Sequence, residues 1–477
     1  MSHCKIILGL AVAATLIATA CGGGGGNGRT TCNPAATPTG CSGDYQCEVV
    51  AGATDGGALG HCYPPAYLEV TVLDPTAEDE PVGGARVVVT DADTGAAAAP
   101  AGTTASSGVA RIAVVWPRAE PDLTPGHSFN IRVSAAGYYE YPGATRVSIP
   151  VTVSRDPLKA LDPAQATIRI ISMAVAPKGA ITGSVLQADG KTPARGVLVV
   201  AETSNLPLVG FSAVSDTNGE YAMYNVESGS YMLSGLFAGM SFPQSNVSVS
   251  GSAVHAKLVA DATPLLATVT GQVNIVSSGG LSSTNVVLRM RTTWDVPPGL
   301  QVAVSGGGGF QIPDVPTGIY EAVAGWGNDG LVLDPDPNIA GTQIQEISVV
   351  GQSPPATVPL AGSFKVTDAV QILGPGATTN DETVGVSPIF RWKKYAQASF
   401  YKVYLWDGIS PDAIWTLDGS VTSITAETVT YPGAPDAPAI VPGLMYQWWV
   451  EAWADTPDVR ELSHSEDQLG VFRYVAQ

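Results

Sequence analysis

From Tyr67 onward the hydrophobic positions fall into short runs separated by clusters of Gly, Pro, Asp and Asn. Leu68-Glu69-Val70-Thr71-Val72-Leu73 alternates apolar with polar residues up to Val72. Ala85-Arg86-Val87-Val88-Val89, Gly196-Val197-Leu198-Val199-Val200 and Asn285-Val286-Val287-Leu288-Arg289-Met290 are further strand-like runs. Alternation sends successive side chains to opposite faces of a strand. Strands at these intervals, without sustained helical periodicity, predict an all-β chain of tandem antiparallel β-sandwiches.

The pattern also repeats. Gly219, Tyr221, Met223, Val226, Gly229 and Tyr231 recur 89 residues later as Gly308, Phe310, Ile312, Val315, Gly318 and Tyr320. Upstream, Gly183-Ser184-Val185 matches Gly271-Gln272-Val273 at an offset of 88. Two modules of one fold therefore follow one another. Asn218-Gly219 is a tight-turn dipeptide. After it, Tyr221 and Met223 point inward, and Gly229 turns the chain so that Tyr231 and Leu233 enter the core.

These residues resemble the signature of the carboxypeptidase regulatory-like, transthyretin-related sandwich: G-x-V, then (T/S)D-x-x-G-x-Y, then V-x-x-G-x-Y. The resemblance covers 178–264 and 265–362. A more divergent relative is expected at 66–177, from Pro81-Val82-Gly83-Gly84-Ala85, Ser107-Gly108-Val109-Ala110 and Gly137-Tyr138. The resemblance implies immunoglobulin-like or prealbumin-like sandwiches serving as accessory modules, not catalysis. Residues 363–477 differ. Phe390-Arg391-Trp392, then Phe400-Tyr401-Lys402-Val403-Tyr404-Leu405, then Pro442-Gly443-Leu444-Met445-Tyr446-Gln447-Trp448-Trp449-Val450-Glu451-Ala452 resemble a fibronectin type III domain. There Tyr446, Trp448, Val450 and Ala452 face the core, with Tyr446 as a tyrosine corner. Trp449, Glu451 and Trp453 then point outward, and Trp406 and Trp415 are candidates to join them in a platform that stacks on sugar rings. The alternative is that these rings pack on a loop or on the preceding module.

The N-terminus carries a different signal. Lys5 precedes a dozen apolar or small residues, Ile6 to Ile17, too few for a spanning helix. Ala18-Thr19-Ala20-Cys21 follows, and then Gly22 to Gly26. This resembles the lipobox of bacterial lipoproteins. It implies that residues 1–20 are removed, that Cys21 carries acyl chains on a Gly-rich tether, 21–31, and that the chain sits at the bacterial outer membrane. An ordinary secretory signal is the alternative.

Cys32, Cys41, Cys47 and Cys62 are separated by eight, five and fourteen residues. Clustered, even-numbered cysteines in an exported chain predict a disulfide framework at 32–65, with three pairings open. The segment resembles a small EGF-like knob, which implies Cys32–Cys47 and Cys41–Cys62. A four-Cys zinc site is the competing assignment, but it lacks paired C-x-x-C spacing.

Composition narrows the partners. The net charge is −19, which repels nucleic acid and anionic head groups. The oxygen ligands of Asp216-Thr217-Asn218-Gly219 and Asp334-Pro335-Asp336 fall short of a calcium loop. Residues 265–362 contain no Lys, so that module cannot form a Lys–Asn isopeptide. His61, His127, His255 and His464 are scattered, with no nucleophile or metalloprotease motif around them. No catalytic residue, metal or cofactor is assigned. The expectation is a lipid-anchored, rod-like, non-enzymatic surface protein for adhesion, matrix binding or scaffolding, with the C-terminal module farthest from the membrane. A carbohydrate-binding accessory lipoprotein, working with a separate hydrolase or transporter, is the alternative.

Overall fold

The computed structural model describes residues 30–33, 40–43, 45–51, 60–116, 118–119, 126–143, 150–154, 164–174, 178–276, 283–305, 308–338, 341, 344–378, 382–385, 387–410, 412–422, 427–431 and 437–475. Cys21, the leader and most of the tether lie outside them. Strands dominate; a single short α-helix, Gly419–Thr422, occurs among the described residues. No described helix is long and apolar enough to cross a membrane.

The knob is a small sheet of Thr31–Cys32, Gly60–Tyr63 and Gln46–Ala51. Cys32 bonds Cys47 and Cys41 bonds Cys62. The sulfurs are consumed by disulfides, which overturns the zinc alternative. Arg118–Ala119, from the first sandwich, adds a parallel edge strand to this sheet.

Three sandwiches share one plan. In each, the first strand pairs in parallel with a closing strand: Ala66–Asp74 with Ala164–Arg169, Gly179–Leu186 with Ala253–Val259, and Leu266–Ile275 with Ala356–Pro359. The facing sheets are built around Arg86–Asp91 and Gly126–Ser134, Leu198–Thr203 and Gly229–Leu236, and Ser283–Arg289 and Gly318–Ala324. Alternate residues of these strands, such as Val70, Ile131, Ile181, Leu233, Val269 and Ala322, are wholly buried. The third sandwich continues past its expected end at 362. Phe364–Asp368 pairs with both Leu266–Ile275 and Leu331–Leu333.

The repeated residues are architectural. A Cβ on Gly183 would overlap the carbonyl oxygen of Ala256 and come within 2.8 Å of the Tyr221 ring. One on Gly271 would sit 2.6 Å from the Phe310 ring. Tyr231 Oη donates to the Glu227 carbonyl and Tyr320 Oη to the Pro316 carbonyl, each at 3.0 Å. The strands opposite Gly179 and Ala267 each carry one extra residue, and Asn225 and Asp314 there share φ of 58°. Such a bulge bends a strand and frees its backbone groups.

Both bulges meet the preceding module. Asn225 accepts from Gly137 N at 2.7 Å and donates to the carbonyls of Ala135 and Tyr138. At the next junction Gly239 N donates to the Asp314 carbonyl at 2.8 Å. Contacts also skip along the chain. Arg132 of the first sandwich pairs with Asp295 of the third at 3.0 Å, and both hydrogen-bond Ser212 of the second. Leu198, Val200, Val214 and Leu236, on the outer side of the second module, are continuous with the core of the third. Arg473 of the last sandwich donates to the Thr167 carbonyl at 2.9 Å, and Met445 and Val471 join the core cluster of the first. The rod expected from tandem order is therefore replaced by modules that fold back on one another. The same correction removes the expected distance of the C-terminal module, because it packs against the first sandwich.

Candidate functional site

The C-terminal sandwich sets Ile372–Gly374, Ile389–Trp392 and Thr428–Thr430 against a larger sheet centred on Phe400–Asp407 and Met445–Ala454. Between the sheets Trp392, Phe390, Tyr401, Trp448 and Phe472 form an aromatic core. Val441 N donates to Tyr446 Oη at 2.7 Å, so this tyrosine ties the approach to its strand.

Strict alternation along Met445–Ala454 leaves Trp449, Glu451 and Trp453 half-buried on the outer face. Across the ladder Phe400 pairs with Trp453, Lys402 with Glu451, Tyr404 with Trp449 and Trp406 with Gln447. Trp406 and Trp449 therefore do lie together, with ring centroids 6.0 Å apart. Trp415 does not join them. It pairs with Leu405, a core-facing residue, and so it too turns inward, against Phe390 and Tyr431. Trp449 and Trp453 are four residues apart, about 13 Å along the strand.

The space between them is filled. Glu451 accepts from Tyr404 Oη at 3.0 Å and from Trp453 Nε1 at 2.9 Å. Lys402 Nζ lies 4.2 Å above the Trp453 ring, which also stacks on Phe400. The His464 ring lies 4.7 Å from that of Trp449. Burial, reinforced by the charge of Glu451, pushes Glu461 up to about 8, with Lys402 opposing the shift. Burial and the same Glu451 raise Tyr404. The face thus combines aromatic rings with a carboxylate pair of which one member resists ionisation.

The third sandwich borders this face. Arg460 Nε contacts Asp336 at 3.1 Å, and Glu466 accepts from Gly330 N at 2.6 Å. Burial raises Glu466 and Asp467, the latter opposed by His464 and Arg289. The acidic turns have structural partners. Asp216 accepts from Asn218 N and Glu220 N through one oxygen, and from Ala101 N and Arg86 through the other. Its lone pairs are occupied in clamping the first module to the second. No local signal marked Asn225 or Arg132, because their partners lie far away in sequence.

No family model matches the chain, and no curated protein matches it. Several solved structures show local likeness. The Bacillus anthracis TIE protein aligns at 13% identity and a TM-score of 0.16, over 64% of this chain. This chain spans about half, 51%, of that one. The streptococcal ancillary pilin aligns at 12% identity and 0.17, covering 63% of this chain and 99% of its own. Two B repeat units of the collagen-binding protein of Staphylococcus aureus align at 11% and 0.19, covering 86% and 99%.

Proposed function

We propose that the chain is a lipid-anchored, non-enzymatic surface protein acting in adhesion, matrix binding or scaffolding through its tandem β-sandwiches. One observation supports this most. The residues that the repeat retains, Gly183, Gly271, Tyr231 and Tyr320, hold the fold. The polar side chains between modules, Arg132, Ser212, Asp295 and Asn225, bond one another or backbone. Chemistry is spent on rigidity, which suits a protein that presents surfaces. In this proposal the body lies outside the cytoplasm, a reading supported by the Cys21 motif and by the two disulfides of the knob.

Mass spectrometry of the native N-terminus tests the anchor; an unacylated Cys21 would remove it. Retention of wild-type and deletion cells on immobilised matrix proteins tests adhesion, and equal retention would sink that part.

The outer aromatic row favours a second reading, carbohydrate binding by residues Trp406, Trp449 and Trp453. Against it, Lys402 and Phe400 flank the Trp453 ring, and His464 and Trp406 flank Trp449. Polysaccharide pull-down of the full chain and its Trp449→Ala/Trp453→Ala variant decides the matter. Unchanged retention would discard this reading.

A further inference from the structure

A second constellation lies on the first sandwich, away from the aromatic face. Arg86–Asp91 and Gly126–Ser134 are antiparallel neighbours, with Asp91 opposite Phe129. Two residues before Phe129, His127 turns its ring toward the end of the neighbouring strand. Its Nε2 lies 2.5 Å from Asp91 Oδ2. Asp93 completes the group, and one ligand atom from each of the three falls within 4.8 Å of the others.

The three side chains are held to different degrees. Asp91 is buried, and its Oδ1 accepts from Asp93 N, Thr94 N and Thr94 Oγ1 at 2.9 to 3.0 Å. That leaves Oδ2 aimed at the histidine. The His127 ring stacks on Trp116, nearly parallel at 9°, and meets Phe129 edge-on. Asp93 is exposed. A nitrogen donor and two carboxylates, two of the three oriented by packing, form a partial coordination sphere open to water on one side.

We propose that Asp91, Asp93 and His127 bind a divalent transition-metal ion, Zn²⁺ or Mn²⁺. An imidazole with carboxylates suits Zn²⁺, and two carboxylates completed by water suit Mn²⁺. Calcium is disfavoured, because it takes six to eight oxygens and His127 supplies nitrogen. The ion sits between Nε2 and Oδ2, and water fills its remaining positions. Seating it requires that the 2.5 Å contact open by roughly 1 Å. His127 is the more exposed of the two, at 20% against 10% for Asp91, so the shift falls to its side chain. Binding needs the Nε2 lone pair, so the ion takes the place of the hydrogen bond between His127 and Asp91, with the neutral ring carrying its proton on Nδ1. The site owes nothing to the adhesion or carbohydrate readings and stands or falls separately.

Calorimetric titration of the untagged full chain with Zn²⁺, repeated with Mn²⁺ and Ca²⁺, tests it. The expected result is one Zn²⁺ or Mn²⁺ per chain, weak or absent response to Ca²⁺, and affinity lowered about tenfold or more by His127→Gln or Asp93→Asn. His255→Gln, on another module, is expected to leave binding unchanged. Asp93 is exposed, so its variant keeps the test valid if His127→Gln disturbs the Trp116 stack; circular dichroism reports the folding of each. Absence of Zn²⁺ and Mn²⁺ binding, or equal affinity in a folded Asp93→Asn variant, would overturn the proposal and leave a His–Asp hydrogen bond.

Discussion

The second and third sandwiches use their aromatic residues differently from the C-terminal one. In the repeats, Tyr221 and Phe310 lie over glycines, and Tyr231 and Tyr320 bond the backbone of the hairpin before them. In the C-terminal sandwich a second set, Trp406, Trp449 and Trp453, stands on the outer face beside Lys402, Glu451 and Glu461. One fold class can thus spend aromatics on shape alone or on a surface with its own electrostatics. The outward aromatic face gathers where the repeat signature is absent.

The strongest way to break this contrast is at the glycines. Gly183→Ala drives a Cβ into backbone at Ala256, which cannot yield, so a loss beyond about 3 kcal/mol is expected. Gly271→Ala meets the movable rim of Phe310, and about 1–3 kcal/mol is expected. Hydrogen exchange in 179–186 and 266–275 reads both, and a tolerated Gly183→Ala would deny the glycine its structural role.

Next in size is Arg132→Ala. It leaves Asp295 bonded to Ser212 but without its cation. Because both side chains of the ion pair are 23% exposed, the loss is about 2 kcal/mol, felt as separation of the first and third sandwiches. Small-angle scattering is expected to show expansion, and an unchanged profile would mean that apolar contacts suffice.

The pH dependence of the C-terminal sandwich comes third. Glu461 is raised from 4.5 to about 8, so the folded state binds more protons than the unfolded one within that window. Stability is therefore highest below it and falls as pH rises through it. After allowance for solvent screening the fall is on the order of 1–2 kcal/mol. Glu461→Gln is expected to flatten the melting-temperature profile between those pH values; a persistent slope would assign it elsewhere, Glu466 and Asp467 being raised as well.

The smallest effect is expected from Trp449→Ala, which removes contacts with Trp406 and His464 worth about 0.5–1.5 kcal/mol. Thermal unfolding measures it. A much larger loss would move Trp449 from surface to framework and erase the contrast.

Much of the architecture was legible because it is local. Alternation in Leu68–Leu73 and Met445–Ala454 assigns faces within one strand, and turn glycines such as Gly219 fix where strands end. The 89-residue offset mapped correctly onto equivalent strands and bulges. The disulfide pairing implied by the EGF-like resemblance also agrees with the structure. Trp415 was misplaced because its face depends on pairing with Leu405 rather than on its own neighbours.

By itself, then, the sequence determined strand periodicity, the repeat, the outward set at 449, 451 and 453 and the stapled N-terminal segment. Each follows from backbone alternation, turn chemistry or cysteine spacing over short distances. Only the tertiary structure decided that Arg132 meets Asp295, that Asn225 clamps the preceding module, that Asp91 and His127 converge and that the last sandwich returns to the first. Those contacts join residues tens to hundreds of positions apart. Their energy depends on geometry among whole modules, which no local pattern encodes.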